Sequence, residues 1–167
     1  MQAIGNATVS LGIPVTAPFL VPVEHRATPT CINSPFMAAS GKSYCVTAMR
    51  FSTPHGSVFV DDVDGVDVSS LGAMLGTSAR FPKGASIVFI QMLDKGNLKA
   101  RLWLRGVGEA PFSPEAAGIA GMAAMMLQKI LQSEANVIMG GHTFQVKWDR
   151  RTDNVTLTGP VELLQRV

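Results

Sequence analysis

Along most of this chain the apolar residues come in short runs separated by turn-forming residues, and between Ala116 and Leu127 they merge into one unbroken block. The short runs predict strands over 7–11, 19–23, 43–51, 56–61, 85–93, 98–104, 136–139, 143–148 and 155–158. Pro54 interrupts the third and fourth, so a loop or sharp corner is expected over 52–55. Asp94-Lys95-Gly96-Asn97 has the composition of a hairpin turn. The block reads as a helix that begins at Pro114 and runs to about residue 132. Ser113 suits its N-cap, and Pro114 suits the first helical position because its missing N–H would be unpaired there anyway. With no polar side chain over 116–127 this helix has no solvent face, so other structure must enclose it. A short helix over 68–75, capped by Asp67 or Ser69, completes the pattern. The fold class is α+β: a mostly antiparallel sheet around one central apolar helix.

Composition narrows the function. The 167 residues and 47% apolar content suit a single domain, 1–167, with a sizeable core. A formal charge of +2 with no basic run argues against nucleic acid. The apolar block is too short to span a bilayer, and the N-terminus lacks a basic segment followed by an apolar one, so no membrane partner and a cytoplasmic location are expected. Cys31 and Cys45 lack metal-ligand spacing and read as buried free thiols. His25, His55 and His142 form no metal-binding cluster.

Five landmarks occur in order: Thr53-Pro54-His55; Val58 to Asp64; Phe81-Pro82-Lys83-Gly84 leading to Phe89-Ile90-Gln91; Trp103 with Arg105-Gly106-Val107-Gly108-Glu109; and Thr158-Gly159-Pro160. In these the chain, over about residues 7–164, resembles the C-terminal half of a diaminopimelate epimerase, in the superfamily that includes proline racemases and the phenazine-biosynthesis isomerase. The resemblance implies a barrel-like sheet wrapped around the central helix. It also implies that the usual second half, and the cleft between halves where two cysteines exchange a substrate proton without a cofactor, must come from elsewhere. A homodimer, a second epimerase-like chain or a relocated pocket would each supply it.

The sequence departs from that family where its chemistry resides. The second-half cysteine maps to Ser113, a poor base without a neighbouring one to activate it. The Gly-Thr-Gly that presents amides to the substrate carboxylate is Pro114-Glu115-Ala116, which removes a donor and adds negative charge. The expected polar contacts become Thr53, Ser86 and Leu104, while Arg105, Gly106, Gly108 and Glu109 keep the turn. A largely apolar small-molecule substrate follows, with no cofactor and no metal.

Glu109 and His55 are the candidates for proton transfer and Ser113 is the third catalytic candidate. Thr53, Ser86, Leu104, Arg105 and Gly106 are the substrate-binding candidates. Each also has a structural reading: His55 as a loop hydrogen-bonding group, Ser113 as a cap, Arg105 with Glu109 as an ion pair. The leading function is a divergent cofactor-independent isomerase or cyclase, in secondary metabolism. The alternative is a non-catalytic subunit that dimerises or completes a partner epimerase-like chain. Orthodox amino-acid racemisation ranks last.

Overall fold

A computed structural model describes residues 5–25, 28–38 and 40–164. Its strands are β1 (Asn6–Gly12), β2 (Ser34–Met37), β3 (Ser43–Arg50), β4 (Pro54–Phe59), β5 (Ser86–Met92), β6 (Asn97–Leu104), β7 (Gly108–Ala110), β8 (Glu134–Met139), β9 (His142–Trp148) and β10 (Val155–Pro160). Its helices are α1 (Val68–Gly76), α2 (Pro114–Met126) and the short α3 (Val161–Leu164), with a 3-10 turn at Val63–Gly65.

Among the described residues the strands form one ten-stranded sheet in the order β1-β10-β9-β8-β6-β5-β4-β3-β2, with β7 added beside the end of β6. The order is an open path from β1 to β2, not a closed ring. The sheet is also mixed: β4–β5 and β6–β8 pair in parallel, and the other strand pairs are antiparallel. Each parallel pair needs a crossover, and α1 and α2 lie in the two connections.

Alternation along β5 and β6 divides the core in two. Val88, Ile90, Leu98, Ala100 and Leu102 join the cluster built on α2, whereas Ile87, Phe89 and Trp103 join the cluster on the α1 side. Because β5 is covered on both faces, its sequence reads as a continuous apolar run. On α2, Ala116 through Met125 are all buried, and the helix touches β3, β4, β5, β6, β8, β9 and β10. Small residues permit that approach: a Cβ on Gly121 would lie 2.8 Å from Cβ of Val146.

Several sequence expectations need correction. Residues 19–23 form a turn, not a strand, with the Val21 and Val23 amides bonded to the carbonyls of Ala17 and Pro18. Prolines 18 and 22 bring no donor to a ladder there. The apolar helix stops at Met126 instead of near residue 132. Gln128 turns left-handed at φ 59°, and the amides of Gln128 and Lys129 close back on the carbonyls of Met125 and Ala124. That is a Schellman arrangement, with Gln128 where glycine is usual. Pro54 opens β4, and the register pairs it with Arg50. The thiol of Cys31 is buried as expected and that of Cys45 is exposed. The strands β2 and β7 and the helix α3 had no expectation attached to them. Among the described residues no helix is long and apolar enough to cross a membrane.

Candidate functional site

The start of α2 meets the loop between β3 and β4. Ser113 has extended backbone angles, and its Oγ accepts the amide of Ala116 at 3.3 Å, so the predicted cap is in place. Within the first turn, Glu115 reaches across to the loop. Its Oε2 accepts the amides of Phe51, Ser52 and Thr53 at 3.2, 2.7 and 2.9 Å, and its Oε1 accepts the Thr53 hydroxyl at 3.1 Å. Three consecutive amides converging on one oxygen form an anion-binding nest. Here the chain's own carboxylate fills it.

His55 lies directly behind. It pairs with Met49 on β3 and Ser86 on β5, and its side chain is 1% exposed. Nδ1 donates to the Thr53 carbonyl at 2.8 Å, which places the proton of the neutral ring on Nδ1 and leaves a lone pair on Nε2. Among the described residues the buried Nε2 has no partner, and neither does the buried hydroxyl of Ser57 two residues along the same strand. Burial pushes the imidazole pKa below its ordinary 6.5, opposed by the Glu115 carboxylate 3.9 Å away and by the bond to Thr53. His55 is therefore held neutral.

Beside this arrangement lies an open cavity of about 310 Å³. Leu11, Phe51 and Pro114 give it apolar walls, and Ser10, Ser52, Ser113 and Glu115 supply its polar groups. Thr53, His55 and Ser113 are thus gathered at the start of α2, joined by Glu115. Ser86 is the next position across the sheet. It is buried, and its hydroxyl accepts the Arg105 amide at 3.0 Å, fixing the end of β6. Leu104 packs against the α2 cluster.

The other candidates lie apart from this group. The Arg105 guanidinium donates to the carbonyl of Lys83, tying the 81–84 turn to the 105–108 turn, in which Gly106 has a φ of 81°. Glu109 pairs in register with Trp103, on the α1 face of the sheet. Arg101 grips it there, with Nε and Nη2 at 2.9 and 3.0 Å from its two oxygens, while Nη1 donates to the carbonyls of Val63 and Val66. An ion pair at Glu109 was one sequence reading, but its cation is Arg101 and not Arg105. The residue missed as a positive contributor is Glu115. Its signal was present: it is the lone charge in an otherwise uncharged helix, placed in the first turn where a carboxylate suits the helix dipole.

No protein-family model matches the chain. It is similar to the diaminopimelate epimerase of Oceanobacillus iheyensis, with 28% identity over 162 residues that cover 96% of this chain and 56% of that protein. With the diaminopimelate epimerase of Pseudomonas paraeruginosa it shares 33% identity over 156 residues, 93% of this chain and 55% of that one. The chain therefore spans about half the length of these relatives, and the resemblance read from its motifs is shown. A crystal structure of a hydroxyproline epimerase from Agrobacterium vitis has the same fold over 93% of this chain and 49% of its own, with a TM-score of 0.61 at 11% identity.

Proposed function

We propose that this half-length relative of the diaminopimelate epimerases is a cofactor-independent isomerase or cyclase that moves a proton on a largely apolar small molecule at the start of α2. The observation that carries the reading is Glu115, a carboxylate fixed at the wall of an apolar cavity by three amides and a hydroxyl. A substrate carboxylate has no vacant nest there, which favours a substrate without one.

In this reading Oε1 of Glu115 takes a proton from carbon and returns it to the same or a neighbouring carbon, so the composition of the molecule is unchanged. The negative charge left on the substrate is offset by the positive end of α2 and by the Ser113 hydroxyl. That oxygen accepts from Ala116 and keeps its own proton to donate. Thr53 orients Glu115. His55 holds the loop through the Thr53 carbonyl and is a positioning residue. Ser86 and Arg105 shape the neighbouring turns, and Leu104 lends apolar lining.

The test is deuterium incorporation from D2O into a panel of apolar carbon acids, cyclic β,γ-unsaturated ketones and lipophilic lactones, followed by NMR. Exchange by the wild type that falls at least a hundredfold in Glu115→Gln supports the reading. A panel left unexchanged by the wild type overturns it.

A non-catalytic subunit completed by a second copy or by another epimerase-like chain is the second reading. The sealing of His55 Nε2 away from every cavity wall described above favours it. Sedimentation of the pure chain separates the possibilities: a monomer that still exchanges deuterium removes the need for any partner.

A further inference from the structure

On the opposite face of the sheet, a cavity of about 470 Å³ opens between the β2–β3 hairpin and the start of α1. Its floor and far wall are Val60, Val66, Leu71 and Met74, which pack onto the α1-side core without being fully covered by it. The near wall is the hairpin. Tyr44 pairs with the buried Phe36 and so turns the same way, toward that core. Lys42 stands two residues earlier on the same side, with Nζ 5.3 Å from the centre of the Tyr44 ring.

The charges around this cavity are asymmetric. Among the described residues no carboxylate lies within ion-pair distance of Lys42. The one acidic side chain in the lining is Asp67, on the α1 wall, where Oδ1 caps the helix by accepting the Ser70 amide at 3.2 Å. The site thus combines an aromatic wall, an aliphatic floor and an unpaired cation beside the aromatic ring.

We infer that this cavity is a binding site for a small aromatic carboxylate, whose ring lies between Tyr44 and Leu71 and whose carboxylate reaches Lys42, away from Asp67. The apolar body gains from leaving water, and the charge selects the orientation. The site belongs to the α1 face and is independent of the proton-transfer reading at α2.

The probe is 1-naphthoate, titrated into the isotope-labelled chain while amide shifts are followed by NMR. The expected result is saturable shifts at residues 42–44 and 66–71. The dissociation constant should rise severalfold, up to about fivefold, in Lys42→Gln, a surface change that leaves the fold intact, which is what loss of one exposed charge contact is worth. The neutral isostere 1-naphthalenemethanol should bind the wild type as weakly as 1-naphthoate binds Lys42→Gln, and Leu71→Ala should weaken both ligands. Glu115→Gln should bind 1-naphthoate as the wild type does. Absence of saturation, equal binding of the acid and the alcohol, an unchanged constant in Lys42→Gln, or shifts centred on residues 51–53 and 113–115 would each overturn the inference.

Discussion

Glu115 Oε2 accepts the Ser52 amide at 2.7 Å, so a helix that has no other charge spends its one carboxylate on a loop sixty-three positions earlier in the chain. The amides of Phe51 and Thr53 share that oxygen. Removing the carboxylate leaves three donors facing the place it held. Glu115→Ala should therefore lower stability by about 1.5–3 kcal/mol in urea unfolding, the range for hydrogen bonds to a charged group. It should also create a new property, since an emptied nest takes a small anion. Added acetate should raise the melting temperature of Glu115→Ala and leave the wild type unmoved. If acetate acts equally on both proteins, the three amides are not the determinant.

The neutral, buried His55 links stability to pH. Its folded pKa lies below the ordinary 6.5, so the unfolded chain binds the proton first. Its contribution is present above pH 6.5 and is lost as the pH falls through 6.5 toward the lower folded value. His55→Gln keeps a polar group but not the titration, and should flatten this part of the stability curve. The comparison is urea unfolding of both proteins at a series of pH values. Parallel curves would mean that some other group causes the acid sensitivity.

Most of the sheet was legible because its strands are bounded by turn residues whose chemistry is local, such as the Asp94 carboxylate that accepts the amides of Gly96 and Asn97. The start of α2 was equally local, set by Ser113 and Pro114. Its end was not, because Gln128 adopts the left-handed conformation without the glycine that would advertise it. β7 is three residues long and exists by pairing with the end of β6, a non-local condition. The same distinction holds at the site. Ser113 was readable as a cap from its neighbours. Glu115 in the 51–53 nest and Glu109 on Arg101 are settled by which strand ends the sheet brings together, so residue type alone could not show that Glu109 lies on the α1 face, apart from the start of α2.

Gly72 tests how closely α1 lies on the sheet. Alanine at an exposed helical glycine usually stabilises by up to about 1 kcal/mol. Here an added Cβ would overlap Cβ and Cγ of Trp103, atoms anchored next to the β6 backbone that cannot swing aside. The sign should reverse, with Gly72→Ala destabilising by about 1–3 kcal/mol. Thermal or urea unfolding reads the sign directly. A stabilised Gly72→Ala would show that α1 can lift from Trp103 at little cost.

Glu109 and Glu115 compete for the same chemical role, and their surroundings separate them. Glu109 is held by Nε and Nη2 of Arg101 on the face that α1 covers, with its side chain 39% exposed. An ion pair that open is worth up to about 1 kcal/mol and is screened by salt. Glu109→Gln should accordingly cost that much or less, with the loss shrinking at high ionic strength. Arg101 would stay in place through the Val63 and Val66 carbonyls. Deuterium exchange into apolar carbon acids should survive in Glu109→Gln and fall at least a hundredfold in Glu115→Gln, which removes the carboxylate bordering the α2 cavity. The opposite pattern, with exchange lost in a folded Glu109→Gln and kept in Glu115→Gln, would move the chemistry to the α1 face. It would also reduce the Glu115 nest to a device that fastens the 51–53 loop to the start of α2.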